Sequence, residues 1–217
     1  MIAMQRHDLA YISRKGWDAA LSARPDLADN VIIARWMDEH WPLIVARAAP
    51  GGTKVALGLP LPPKAGKKRL PFLMDPECIL STRRPPELGT LHDAAPPIWR
   101  PTIESIREIT ARHGVETRVF GSLAWRSITG MNYLSVGSDL DLLFYIRSDT
   151  ELDHLSAELA EVDAVAPMRI DGELIRSDGA AVNWRELHSG AREVLVKTGD
   201  GVGVIDRNLF RAGWVLP

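Results

Sequence analysis

Apolar residues recur at helical spacing in two segments of the second half of the chain. The first segment begins after Pro101 and ends at His113-Gly114, and the second spans 152–162. The repeating positions are Ile103, Ile106 and Ile109 in the first segment, and Leu152, Leu155, Leu159 and Val162 in the second. Residues three and four apart share one face of a helix, so both segments are predicted to be amphipathic helices.

Short apolar or alternating runs between and after these helices predict strands. The runs are 117–120, 139–146, 168–175, 180–184 and 194–196, and Ser177-Asp178-Gly179 is a typical hairpin turn between two of them. Lys197 is predicted to stand at the end of the last strand. The order helix, strand, strand, helix, strand, strand indicates an α/β or α+β fold with a mixed sheet.

The first hundred residues have a different pattern, with most of the prolines and shorter apolar runs. The apolar runs at 31–33 and 43–46 predict short strands and a helix. The segment 60–69 is rich in proline and lysine and is predicted to be a loop, because proline lacks a backbone donor. A second proline-rich segment, 83–101, is interpreted as a linker. We therefore expect two lobes, 1–90 and 91–217.

Composition limits the class of protein. Hydrophobic residues make up 46% and charged residues 25% of the 217 residues, which is typical of a globular chain rather than a disordered or fibrous one. The net charge of -2 gives no electrostatic reason to expect nucleic-acid binding. Cys78 is the single cysteine, which excludes an intrachain disulfide or a cysteine-based metal site. No stretch is long and apolar enough for a membrane span, and a cytoplasmic location is expected.

Asp139 and Asp141 are the first candidate functional residues. Two residues apart on one strand, they project from the same face and bring two carboxylates close together. Such a pair suits Mg²⁺, which binds one or two carboxylates together with substrate phosphates. Gly121 and Ser122 precede them at a predicted strand-to-helix turn, where backbone N–H groups and a hydroxyl can hold a phosphate. The combination favours metal-assisted phosphoryl or nucleotidyl transfer.

A third carboxylate would complete such a site. Asp171 is the preferred candidate, and Glu173, on the same face of the same strand, is the reserve. Two simpler interpretations stand beside this one. Asp171-Gly172 is also a common turn dipeptide, which would leave Asp171 solvated, and an isolated Asp-X-Asp is usually a solvated or capping pair.

The string Val-Phe-Gly-Ser-Leu-Ala-Trp-Arg at 119–126, followed by Ser-Asp-Leu-Asp-Leu-Leu at 138–143, resembles the signature of the DNA-polymerase-β-like nucleotidyltransferases. More widely, the chain resembles the malonate decarboxylase holo-acyl-carrier-protein synthase family. The motifs that carry this second resemblance are Arg-His-Asp-Leu at 6–9, Gly-Leu-Pro-Leu-Pro at 58–62, the block 121–146, Asp-Gly-Glu-Leu at 171–174 and Ala-Val-Asn-Trp-Arg-Glu-Leu at 181–187.

The resemblance implies a fold, a reaction and partners. The fold would be a small mixed N-terminal lobe that recognises donor and carrier, and a C-terminal nucleotidyltransferase core with a mixed sheet flanked by helices. The donor would be triphosphoribosyl-dephospho-CoA, attacked at its innermost phosphate by a serine of the apo acyl-carrier subunit of malonate decarboxylase, with release of pyrophosphate.

The resemblance also implies roles for individual residues. Asp139, Asp141 and Asp171 would be the catalytic and Mg²⁺-binding residues. The residues expected to bind substrate are Gly121, Ser122, Arg126, Ser138 and Lys197, with Arg126 or Lys197 neutralising pyrophosphate.

Two other functions stay open at this point. One is a nucleotidyltransferase that uses ATP on a small molecule or another protein, and the other is a binding module without catalysis. The basic residues at 64–69 fit either a docking surface for an acidic carrier or a solvated loop.

Overall fold

The computed structural model describes residues 4–27, 29–47, 52–199 and 201–212. The chain divides into two compact units, Met1–Pro85 and Pro86–Pro217, called here the N-terminal and C-terminal units. The division falls within the proline-rich segment 83–101. No helix among the described residues combines the length and the apolar character needed to cross a bilayer.

The described part of the N-terminal unit is built on a five-stranded antiparallel sheet with the order β4-β3-β2-β1-β5. Its strands are β1 (Leu9–Ile12), β2 (Leu43–Val45), β3 (Val55–Pro60), β4 (Arg69–Met74) and β5 (Ile79–Arg83), and its helices are α1 (Arg14–Ser22) and α2 (Val31–Asp38). Ser13 and Asn30 cap the two helices by accepting hydrogen bonds from first-turn N–H groups. The apolar run at 31–33 thus begins a helix, and the run at 43–46 provides β2.

The basic segment 60–69 is a hairpin connection rather than a loop throughout. Pro60 ends β3 and pairs with Arg69, the first residue of β4, so both ends of the segment belong to the sheet. Lys64, Lys67 and Lys68 lie between the two strands and are exposed.

The C-terminal unit contains, in its described residues, a six-stranded sheet with the order β11-β10-β9-β8-β7-β6. Its strands are β6 (Glu116–Val119), β7 (Leu140–Tyr145), β8 (Ile170–Ile175), β9 (Ala181–Asn183), β10 (Glu193–Lys197) and β11 (Val202–Asp206). Its helices are α3 (Arg100–Arg112), α4 (Gly121–Thr129), α5 (Leu152–Val165), α6 (Trp184–His188) and α7 (Arg207–Arg211). Strands β7 and β8 run parallel and are joined through α5, and the other neighbouring strands are antiparallel. The expected mixed sheet with flanking helices is confirmed.

One face of this sheet forms the core. Leu140, Leu142 and Phe144 alternate along β7 into a buried cluster that includes residues of α3 and α5. Alternation sends Asp141 and Leu143 to the opposite face. At the end of α3, Arg112 and His113 both bind the Glu158 carboxylate on α5, the histidine through Nε2 at 3.0 Å from Oε1.

The segment 86–101, expected to be a linker, packs into the C-terminal unit instead. It contains two short 3₁₀ helices, Leu88–Leu91 and Pro97–Trp99. Leu88, Leu91 and Trp99 are buried in the core, whereas Ile98 is exposed. Prolines interrupt regular structure here, but the segment holds enough apolar surface to favour burial over a solvated linker.

Candidate active site

The turn from β6 into α4 lies directly against the beginning of β7. Because β6 and β7 pair in antiparallel fashion, the residues that follow β6 meet the residues that begin β7. The Phe120 N–H donates to the Asp141 carbonyl at 3.1 Å. Gly121 follows in the left-handed region, with φ of +65°, and starts the helix.

Gly121 touches the Asp141 side chain so closely that no larger residue fits. A Cβ built on Gly121 would lie 1.9 Å from Asp141 Oδ2 and 2.6 Å from its Cγ. The predicted phosphate-binding turn and the predicted metal-binding carboxylate are therefore in contact. Phe120 offers no side-chain cap to α4, so the N–H groups of the first turn, near Ser122, lack that partner.

Asp141 and Asp171 are paired across the parallel strands β7 and β8. Neighbouring strands lie about 4.8 Å apart, so the two half-buried carboxylates stand side by side on the open face of the sheet. The alternative interpretation of Asp171-Gly172 as a turn is wrong, because both residues lie inside β8. Asp139 directly precedes β7, and no hydrogen bond or ion pair from the described residues reaches its carboxylate.

Asp171 has a partner that the sequence interpretation missed. Asn183, the last residue of β9, donates through Nδ2 to Asp171 Oδ1 at 2.8 Å. Its Oδ1 accepts from the Arg185 N–H at 2.9 Å and so caps α6. An asparagine before a short amphipathic segment is a signal for an N-cap, but no local signal shows that its amide also reaches a strand neighbour.

Glu173 and Lys197 form an ion pair on the same face. Lys197 Nζ lies 2.8 Å from Glu173 Oε1, and Glu173 is buried while Lys197 is half-buried. A buried carboxylate is retained when a cation compensates it. The position of Lys197 at the end of β10 agrees with the sequence prediction, and the pairing with Glu173 was not foreseen.

The remaining predicted residues occupy the connection around α4. Arg126 is half-buried in the last turn of α4, and no ion pair within the described ranges engages it. Ser138 is buried, and its hydroxyl accepts from the Ser135 N–H at 2.9 Å, which closes the turn before Asp139. Tyr133 anchors the same connection in the interior, where burial raises the pKa of its phenol well above the usual value and keeps it neutral.

The carboxylates suit a cation that the substrate helps to bind. Among the described side chains, no group of three or more His, Cys, Asp or Glu forms a metal cage by itself. Mg²⁺ does not need such a cage, because it retains waters and is completed by substrate phosphates around one or two carboxylates. The pair Asp141 and Asp171 provides hard oxygen ligands of this kind, and Asp139 lies two residues before Asp141 in the chain.

The fold and site define a two-unit α+β protein whose C-terminal sheet presents paired carboxylates beside a glycine turn at a helix start. Two family models match it, the phosphoribosyl-dephospho-CoA transferase MdcG N-terminal domain over residues 5–85 and the C-terminal domain over residues 87–208. The chain belongs to the phosphoribosyl-dephospho-CoA transferase family, and the resemblance to the malonate decarboxylase holo-acyl-carrier-protein synthases is confirmed.

Curated relatives support the assignment along the whole chain. A phosphoribosyl-dephospho-CoA transferase from Bradyrhizobium diazoefficiens is 50% identical over 209 residues, which cover 96% of this chain and 92% of the relative. A transferase of the same name from Xanthomonas campestris pv. campestris is 34% identical over 93% of this chain and 94% of its own. One from Pseudomonas putida is 33% identical over 74% of this chain and 76% of its own. No solved structure matches the chain.

Proposed function

We propose that this enzyme transfers the phosphoribosyl-dephospho-CoA group from triphosphoribosyl-dephospho-CoA to a serine of the apo acyl-carrier subunit of malonate decarboxylase. The similarity to transferases over 96% of the chain supports the reaction. Within the structure, the observation that carries the proposal is the contact between Gly121 and Asp141, with Asp171 paired alongside. A phosphate chain held at the turn would lie next to hard oxygen ligands.

We further propose that the C-terminal unit is a nucleotidyltransferase core of the polymerase-β-like type. Its element order supports this: a strand leads into the Gly121-Ser122 helix start, then Asp139 precedes a strand that carries Asp141 near its beginning. After α5, a parallel strand carries Asp171 beside Asp141. The N-terminal unit would then recognise donor and carrier.

Asp139, Asp141 and Asp171 are the residues that would hold Mg²⁺. A bound divalent ion supplies charge stabilisation for the attacking and leaving oxygens of a phosphate displacement. The backbone N–H groups at the start of α4 and the Ser122 hydroxyl would orient the outer phosphates, since a helix N-terminus favours anions.

The bond changes of the transfer are simple. The serine oxygen of the carrier forms a bond to the innermost phosphorus of the donor, and the bond from that phosphorus to the bridging oxygen breaks. Pyrophosphate leaves with the bonding electrons, and the serine proton passes to the Asp171 carboxylate. Arg126 would bind the departing pyrophosphate, since no described ion pair competes for it. Lys197, already bound to Glu173, would add its remaining donors.

Docking of the carrier is assigned to the basic connection between β3 and β4. Lys64, Lys67, Lys68 and Arg69 are all exposed there, and a positive patch steers and orients an acidic partner.

We also propose that the reaction takes place in the cytoplasm, because a single buried cysteine fits a reducing compartment.

The test is pyrophosphate release by the purified protein with Mg²⁺, triphosphoribosyl-dephospho-CoA and apo carrier subunit. We expect release to be matched by a mass gain on the carrier, and to be abolished in Asp139→Ala and Asp141→Ala. Transfer from ATP to another acceptor would point to a different nucleotidyltransferase. If folded protein releases no pyrophosphate from this donor, the proposed reaction fails.

A further inference from the structure

The Asn183 amide connects a helix start to a site carboxylate through both of its ends. Its Oδ1 accepts the Arg185 N–H at 2.9 Å, and its Nδ2 donates to Asp171 Oδ1 at 2.8 Å. Because a backbone N–H can only donate, Oδ1 must face the helix and Nδ2 must face Asp171. The amide therefore has one orientation that satisfies both partners.

We propose that Asn183 is a positioning residue that fixes the orientation of the Asp171 carboxylate for metal and substrate. This inference rests on the proposed function, since it assigns Asp171 to the site. The Asn183 amide donates a hydrogen bond to Asp171 Oδ1. Asp171 Oδ2 is then the oxygen that faces the metal or the substrate. Carboxylates that bind metals are commonly oriented by such a hydrogen bond from a neighbouring side chain.

The surroundings of Asn183 make it a rigid support. Strand β9 pairs with β8, with Asn183 opposite Glu173, so the amide approaches Asp171 across one strand spacing. Arg185, whose N–H Asn183 caps, donates through Nη2 to the Ile170 carbonyl at 3.0 Å and binds Asp163. Trp184 donates to the same carbonyl at 3.3 Å. These hydrogen bonds hold the start of α6 against Ile170, the residue directly before Asp171.

Two substitutions separate positioning from capping. Asn183→Ser keeps a good N-cap residue but is too short to donate to Asp171, and Asn183→Asp keeps the cap and the shape but replaces the donor by a second carboxylate. The matched control is Asn30→Ser, because Asn30 caps α2 with Oδ1 at 3.0 Å from the Ile32 nitrogen, in the other unit.

Three quantities should be measured for these variants: kcat for pyrophosphate release, binding of Mn²⁺ by electron paramagnetic resonance with inorganic pyrophosphate present, and the melting temperature. We expect Asn183→Ser to lower kcat and weaken Mn²⁺ binding by about 10- to 100-fold, and Asn183→Asp to do at least as much. The melting temperature of both should match that of Asn30→Ser, which should keep kcat and Mn²⁺ binding.

The outcomes distinguish this inference from the proposed function. If wild type releases pyrophosphate but Asn183→Ser matches it in kcat and Mn²⁺ binding, Asn183 is a helix cap and the inference is overturned. If wild type releases none, the proposed reaction fails, and the Mn²⁺ measurement still decides whether Asn183 supports a metal-binding Asp171.

Discussion

Replacement of Gly121 by alanine tests whether the turn and the carboxylate work as one unit. The new methyl group has two effects that can be separated. The first acts on the backbone, because Gly121 has φ of +65° and a non-glycine residue in that region costs about 1–2 kcal/mol. The second acts on Asp141, whose Oδ2 and Cγ would lie 1.9 and 2.6 Å from the added carbon.

The second effect cannot be relieved by a small rotation. Turning the carboxylate plane moves Oδ2 but leaves Cγ in place, so the whole Asp141 side chain must change rotamer and leave its position beside Asp171. Displacement of a reacting or positioning group by about 1 Å can cost on the order of 100-fold in rate. We therefore expect Gly121→Ala to lose at least about 100-fold in kcat/KM.

Gly130→Ala is the matched control at the other end of the same helix. Gly130 has φ of +68°, but a Cβ there meets nothing within 4 Å. Both variants should lose roughly 2–8 °C in melting temperature from the backbone cost. Only Gly121→Ala should lose activity, measured as pyrophosphate release. Equal activity in the two variants would refute the idea that Gly121 is needed to leave room for Asp141.

Three other changes test the core, an ion pair and the pH dependence. Gly172→Ala places a Cβ 2.7 Å from the Phe144 ring, and the overpacking should cost about 1–3 kcal/mol in urea unfolding; a smaller loss would mean that the ring moves freely. Lys197→Met removes the ammonium group that pairs with the buried Glu173 carboxylate and should lower the melting temperature, while the double variant with Glu173→Gln should restore it; if activity is not restored as well, Lys197 acts on substrate. The basic partners of Glu158 lower the pKa of its carboxyl, so their stabilisation is complete above the ordinary carboxyl pKa and is lost as pH falls through the lowered value. Glu158→Gln should therefore reduce the difference in the free energy of unfolding between pH 7 and pH 3, by at most about 1 kcal/mol for so exposed a pair; an unchanged difference would contradict the assignment.

Much of the C-terminal unit could be predicted because its signals are local. The repeat of Ile103, Ile106 and Ile109 appears as α3, and the run from 139 to 146 appears as β7 with Asp141 on its open face. Alternation along β7 is enough to place Asp141, whereas Asp139 lies just before the strand and not on it as expected. The sequence predicts Asp171 as the third carboxylate but not its pairing with Asp141, because no local pattern gives the order of the strands in the sheet.

The parts that could not be predicted depend on contacts distant in sequence. Strands β3 and β4 are stabilised by each other, and neither Pro60 nor Arg69 shows locally that it will pair. The segment 86–101 has a composition typical of a linker, and its burial depends on a core made elsewhere. The pairing of Lys197 with Glu173 joins residues 24 positions apart in the chain.

The parallel alignment of β7 and β8 also has a consequence for folding. Side chains alternate between faces, so a slip of β8 by one residue would turn Asp171 into the apolar core and expose Leu174. Burial of the leucine and isoleucine side chains, and not the carboxylates, supplies the free energy that disfavours such a slip. Correct alignment also requires closure of the long connection through α5, which is a slow kind of event in folding. We therefore expect catalytic competence to appear late during refolding, together with native core packing, and not in collapsed intermediates that already contain the helices.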